Sequence, residues 1–170
     1  MNINEAMRCG RLYFDGGMGT LLQKAGLKAG ELPENWNINN PEPVIKIHRD
    51  YAKAGADIIL ANTFGANEFK FPDNLEEIIE AGVKNAKKAI VEAGTNAVVG
   101  LDMGSLGKLL KPMGTLDFED AVSVFAKTVK LGVKYGVDLI IIETMNDSYE
   151  TKAALLAAKE NCNLPVIVSN

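Results

Sequence analysis

The chain has 170 residues, 47% hydrophobic and 24% charged, with a formal net charge of −4 and a single histidine. That balance describes an ordinary globular domain and excludes a disordered segment, while mild acidity with no basic patch argues against a nucleic-acid partner. No apolar run approaches the ~18 residues of a membrane-crossing helix and no signal-peptide core opens the chain, so with two cysteines, Cys9 and Cys162, too few for a disulfide framework, a reduced, cytoplasmic setting without membrane contact is expected.

Residues 3–9 read as a short helix leading into a first strand, Arg11-Leu12-Tyr13-Phe14. A helix starting near Thr20 follows, and residues 30–41, with Pro33, Asn35, Asn37, Asn39, Asn40 and Pro41, read as a long polar loop. From Pro41 to Ala54, Val44, Ile47 and Tyr51 recur at helical spacing, and Gly55 ends the element. Asp57–Asn62 is a second strand, and its lack of polar alternation predicts burial on both faces, as in a parallel sheet. A helix over 74–93 carries the stripe Leu75, Ile78, Ile79, Val83 and Ile90, and is followed by strand three, Ala97–Asp102. A glycine-rich loop over 103–116, a helix over 118–135, strand four over 137–143, a helix over 148–161 and strand five over 164–170 complete the chain.

Between the first strand and the first long helix lies Asp15-Gly16-Gly17-Met18-Gly19-Thr20. It sets a carboxylate beside backbone that glycines keep bare, where a ligand can approach the amide hydrogens. The unpaired N–H groups at a helix start favour an anion. A negative group next to a positive cradle suits a ligand bearing both charges, such as a free amino acid. Taken alone, the stretch fits a tight turn with a solvated aspartate equally well.

Alternating strands and helices imply an α/β fold with parallel crossovers. The dinucleotide fingerprint is absent, because Leu22 stands where its third glycine belongs, and no phosphate-binding P-loop is present. The strands end in Asp15, Asn62, Asp102, Glu143 and Asn170, each polar after an apolar run. A (β/α)8 TIM barrel builds its active site from such strand ends, so the chain reads as about the first five strands of one.

Asp15-Gly16-Gly17-Met18-Gly19-Thr20, Asp57-Ile58-Ile59-Leu60-Ala61-Asn62-Thr63-Phe64-Gly65-Ala66-Asn67 and Glu143-Thr144-Met145-Asn146-Asp147 resemble the homocysteine S-methyltransferase family over essentially the whole chain. The resemblance is nearest to the homocysteine-binding barrel of its cobalamin-dependent members. It implies a methyltransferase in which a zinc-bound homocysteine thiolate attacks a methyl group, supplied from methyltetrahydrofolate through cobalamin, to give methionine. The thiolate is the nucleophile, and a metal that deprotonates the thiol supplies the activation. By the same resemblance, Asp15 and Glu143 bind the substrate ammonium and the amides of Gly16 and Gly17 its carboxylate. Asn62 and Thr63 line the pocket, and Asp102 stands at or behind the rim. Betaine, S-methylmethionine or S-adenosylmethionine as donor is the alternative within the family. A non-catalytic, amino-acid-binding half-barrel is the alternative outside it.

The family's zinc is held by cysteine thiolates on later strands. Cys9 precedes strand one and Cys162 precedes strand five, which puts both toward the opposite face and reads them as buried, inert thiols. His48, on a helix stripe away from any strand end, reads as a structural residue between helix and sheet. No metal ligand is therefore expected within the chain, and the zinc ligands are expected beyond Asn170. A full barrel takes ~200–250 residues or more, so residues 1–170 read as the N-terminal part of a barrel cut after strand five, with the remaining barrel and cobalamin and folate domains downstream.

Overall fold

In the computed structural model, which describes Ile3 and residues 10–169, four strands lie side by side in the order in which they occur in the sequence. They are β1 (Ile58–Leu60), β2 (Val98–Met103), β3 (Leu139–Glu143) and β4 (Val166–Ser169). All three pairings are parallel, with Ile58 opposite Val98, Gly100 opposite Leu139 and Ile140 opposite Val166. A sheet that never reverses its strand order lacks the switch point of a doubly wound fold and has the sequential order of a barrel. The helices are α1 (Met18–Lys24), α2 (Trp36–Asn39), α3 (Pro41–Lys53), α4 (Leu75–Ala93), α5 (Phe118–Lys134) and α6 (Ser148–Asn161). The helix read over 3–9, with Cys9, lies outside the described residues apart from Ile3, as does Asn170.

The predicted first strand is reduced to a single bridge between Phe14 and Ile58. Around it, Asp57 and Ile58 donate to the Tyr13 carbonyl at 2.8 and 3.2 Å, and Asp15 N–H donates to Ile58 O at 3.0 Å. The segment thus keeps a parallel register against β1 without forming a ladder, and Tyr13 and Phe14 remain exposed.

Period-two alternation sorts the strand side chains onto two faces. Val99, Leu101 and Met103 join Ile59, Ile140 and Ile142 under the helices, where Ile78, Ile79 and Val83 of α4 and Phe125 and Val129 of α5 complete one large core. Val98, Ile58, Leu139 and Ile141 face the other way and form a smaller cluster with Leu12, Leu60 and Ile167. Gly100 sits among them because a Cβ there would stand 2.9 Å from Leu60 Cδ2 and 3.4 Å from Ile141 Cγ1. Burying each Leu, Ile or Phe side chain contributes about 1.5–3 kcal/mol relative to exposure. The helix-side layer, with many more such residues, therefore carries most of the stabilisation, and the inner layer serves as a floor.

Residues 30–41 depart from the loop expected of them. They contain a 3-10 turn, Pro33–Asn35, and α2, and they bury Glu34 and Asn37. The polar side chains bond to backbone instead of water. Asn37 Nδ2 donates to Asn62 O at 2.8 Å and Ile78 O at 3.3 Å, and Asn85 Nδ2 donates to Asn37 O at 3.0 Å.

Candidate active site

The C-terminal strand ends open into a cavity of about 790 Å³, walled by Asp15, Asn62, Asp102 and Glu143 and floored by Leu60, Ile141 and Ile167. Alternation explains the convergence. Asp102 is two residues past Gly100 and Glu143 two past Ile141, so both point to the inner side. Glu143 closes β3, and the chain turns away at once through Thr144, whose φ of 55° lies in the left-handed region that β-branched residues rarely adopt.

Asp15 is fixed from two directions. Its own N–H is tied to β1, and its Oδ2 accepts from Leu60 N–H at 3.1 Å. The side chain is only 4% exposed, and Oδ1 is buried with no protein partner. Gly16, Gly17, Met18 and Gly19 continue the wall, with Gly17 at the start of α1. At Gly16 a Cβ would lie 2.8 Å from the Tyr51 hydroxyl, so a larger residue would push the Tyr51 ring of α3 aside. The Tyr51 hydroxyl in turn donates to Gly17 O at 3.4 Å.

Burial pushes the Asp15 carboxyl up to about 7; the Leu60 amide opposes this and the Glu143 charge adds to it. Burial likewise raises Asp102 well above the usual carboxylate range, reinforced by the charges of Glu143 and Asp15, a hydrogen bond with Glu143 and the charge of Glu34. Glu34 also belongs to the wall, where Lys70 is the one cation among the described residues. Glu34 Oε1 accepts from Gly65 N–H at 2.6 Å, while Glu34 Oε2 and Asp102 Oδ1 are buried without partners. Buried acceptors are nearly always satisfied. A cluster of unsatisfied, mutually repelling carboxyls is chemically suited to a cationic donor such as an ammonium group.

Of the residues singled out from the sequence, Asp15, Gly16, Gly17, Asn62, Asp102 and Glu143 meet at this cavity. Asn62 has its NH₂ engaged, donating to Pro33 O and to Asn37 Oδ1, each at 2.9 Å, so it holds the 33–37 segment against β1. Thr63, expected to line the pocket, is instead fully buried on the helix side, one residue out of phase with Asn62. Its hydroxyl donates to Asp102 O at 2.9 Å and accepts from Asp102 N–H at 3.2 Å, which staples the end of β2. His48 was expected away from any strand end, but α3 packs so that its Nδ1 lies 4.0 Å from Asp15 Oδ2. Glu34, in the stretch read as polar loop, was missed; its only sequence signal is an acidic residue following Pro33.

Among the described residues no group of three or more His, Cys, Asp or Glu side chains is arranged to hold a metal ion. The cavity walls offer carboxylate oxygens and, among the described residues, neither the cysteine thiolates that the family resemblance implies nor a histidine. Cys162 lies at the end of α6, ahead of β4, with its thiol donating to Ala158 O at 3.3 Å. The described residues do not compose a zinc site.

A family model described as homocysteine S-methyltransferase matches residues 12–170. The methionine synthases of Mycobacterium tuberculosis and Mycobacterium leprae are each 28% identical over 158 residues, covering 85% of this chain and 13% of theirs. The chain thus spans a small part of the length of these relatives. Among solved structures, the homocysteine methyltransferase MmuM of Escherichia coli is similar in its metallated form, with a TM-score of 0.81, 20% identity, and 99% of this chain covering 66% of that one. Its apo form gives 0.72 and 21%, over 99% and 63%. At this identity the likeness is one of fold, part of a (β/α)8 barrel.

Proposed function

This chain belongs to the homocysteine S-methyltransferase family, and on that premise we propose that its cavity binds the amino-acid end of homocysteine and presents the sulfur for methylation to methionine. The observation that carries the reading is the convergence of Asp15, Asp102 and Glu143 on one cavity beside the bare amides of Gly16 and Gly17. In this reading Asp15 and Glu143 bind the ammonium and the two amides bind the carboxylate. Asp102, held by Thr63, stands behind them and sets the charge of the cluster. Anchoring both charged groups orients the remaining arm of the substrate and lowers the entropic cost of attack.

The donor proposed is methyltetrahydrofolate acting through cobalamin, from the motif resemblance to the family's cobalamin-dependent members, and the likeness to two methionine synthases supports methionine as the product. Among the described residues the cavity wall carries no thiol, and the zinc ligands are proposed, from the family resemblance, to lie on barrel segments beyond Asn170. Residues 1–170 are read as the N-terminal part of that barrel, and a cytoplasmic setting is part of the same proposal.

Calorimetry of L-homocysteine against Asp15→Asn and Glu143→Gln tests the assignment. Losing one charged partner of a buried ammonium costs about 2–5 kcal/mol, so each variant should bind at least tenfold more weakly. Wild-type affinity in either one removes that residue from the site.

A further inference from the structure

His48 is the chain's only histidine, it is 0% exposed, and neither ring nitrogen has a hydrogen-bond partner. Its Nδ1 faces Asp15 Oδ2 at 4.0 Å, and Asp15 Oδ1 is itself buried and unpartnered. A solitary buried imidazole is commonly a packing residue, but packing alone leaves a costly bare N–H. Here a ring nitrogen stands just outside bonding distance of a buried carboxylate that keeps one of its own oxygens unpartnered. Closing about 1 Å would form an N–H···O⁻ bond of ordinary charge-assisted length.

We propose that His48 is a positioning residue for Asp15: as a neutral imidazole it donates its Nδ1 hydrogen to the ionised carboxylate and so stabilises the form that receives an ammonium. The reading deepens the proposed function and rests on it for the identity of the ligand. The chemistry is one of proton release. Asp15 loses its proton to solvent, the carboxylate draws in the His48 N–H, and the ligand ammonium takes the other side.

Burial holds the imidazole down at about 4, so it stays neutral while Asp15 titrates near 7. The other groups bearing on Asp15 are Leu60 N–H from β1, Glu143 at the end of β3 and Asp102 at the end of β2, which Glu34 influences in turn. The amide is a second donor to the anion, whereas the carboxylates oppose it. His48 is thus the one side-chain donor facing Asp15 among the described residues.

The test is NMR of the full chain, following His48 ring nitrogens and the Asp15 carboxyl carbon from pH 5 to 9. With one histidine the imidazole assignment is unambiguous. The expected result is an Nδ1–H tautomer whose proton moves downfield as Asp15 ionises, both signals sharing one midpoint. An Nε2–H tautomer, or an imidazole silent through the Asp15 titration, overturns the proposal. As a second check, His48→Leu should raise the Asp15 midpoint by about one pH unit. His48→Asn, which keeps an N–H near the position of Nδ1, should restore it; a packing role alone would leave the midpoint where it was. Repeating the titration with L-homocysteine separates the two readings. If the ligand moves neither signal, the ammonium assignment fails while the His48–Asp15 coupling is still decided by the free protein.

Discussion

The two faces of the sheet solve opposite problems. On the helix side, Ile59, Leu101, Ile140 and Ile142 are buried among aliphatic and aromatic partners, and of the polar residues that intrude, Asn37, Asn85 and Thr63 are each hydrogen-bonded, whereas His48 of α3, behind Asp15, is not. On the inner side, the strands run the same alternation over a thin apolar floor and then end in carboxyls that repel one another and leave acceptors unpartnered. One layer is built to be satisfied within the chain; the other is satisfied by what binds to it. The difference separates residues whose loss unfolds the protein from residues whose loss blunts its binding.

The largest effect that would break this division lies in the outer core. Phe125 is almost fully buried under the helices, and Phe125→Ala should cost about 3–5 kcal/mol in urea denaturation. A loss below 1 kcal/mol would mean that the layer is not the main source of stability.

Next comes the pH dependence of stability at the inner face. Asp15 is raised from 3.8 to about 7, so the folded state holds a proton there that the unfolded state lacks, and its contribution to stability grows as pH falls through that window. His48 is lowered from 6.5 to about 4, so its contribution is lost as pH falls from 6.5 to 4. The two slopes nearly cancel in the wild type. Asp15→Asn should bare the His48 slope and make the variant lose about 3 kcal/mol relative to wild type between pH 7 and pH 4. Parallel denaturation midpoints for the two proteins across that range would show that Asp15 is not protonated by burial.

A smaller effect is expected at the seam between the faces. Thr63→Val keeps the shape and removes the staple to the Asp102 backbone, leaving that N–H and carbonyl short of a partner. It should cost about 1–3 kcal/mol and weaken homocysteine binding only severalfold. A loss of affinity as large as that of Asp15→Asn would put Thr63 in contact with the ligand after all.

Where sequence periodicity carries through into the strands, the site was legible. The apolar runs located β1 to β4; Asp102 and Glu143, two residues past Gly100 and Ile141, reached the cavity because the strand alternation carries through to them, and Asp15 reached it from the segment bridged to β1. The same rule, applied more strictly, would have placed Thr63 correctly, since it follows Asn62 and so faces the helices. The first strand was legible as an apolar run, but its single bridge to β1 depends on pairing that no local pattern records. Glu34 and His48 were hidden for a different reason. A helical stripe tells which face of α3 is buried, not that His48 comes to rest behind Asp15. A cluster of Asn and Pro looks like solvated loop until its side chains find the carbonyls of Asn62 and Ile78.

The most direct measurement of the central claim is the affinity of the chain for L-homocysteine between pH 5.5 and 8.5, with proton release counted by calorimetry in buffers of different ionisation enthalpy. Because burial raises Asp15 to about 7 and an ammonium requires its anion, affinity should climb with pH through about 7, with proton release falling toward the upper end. Affinity independent of pH, with no proton exchanged, would contradict an ammonium bound by Asp15 and its neighbours.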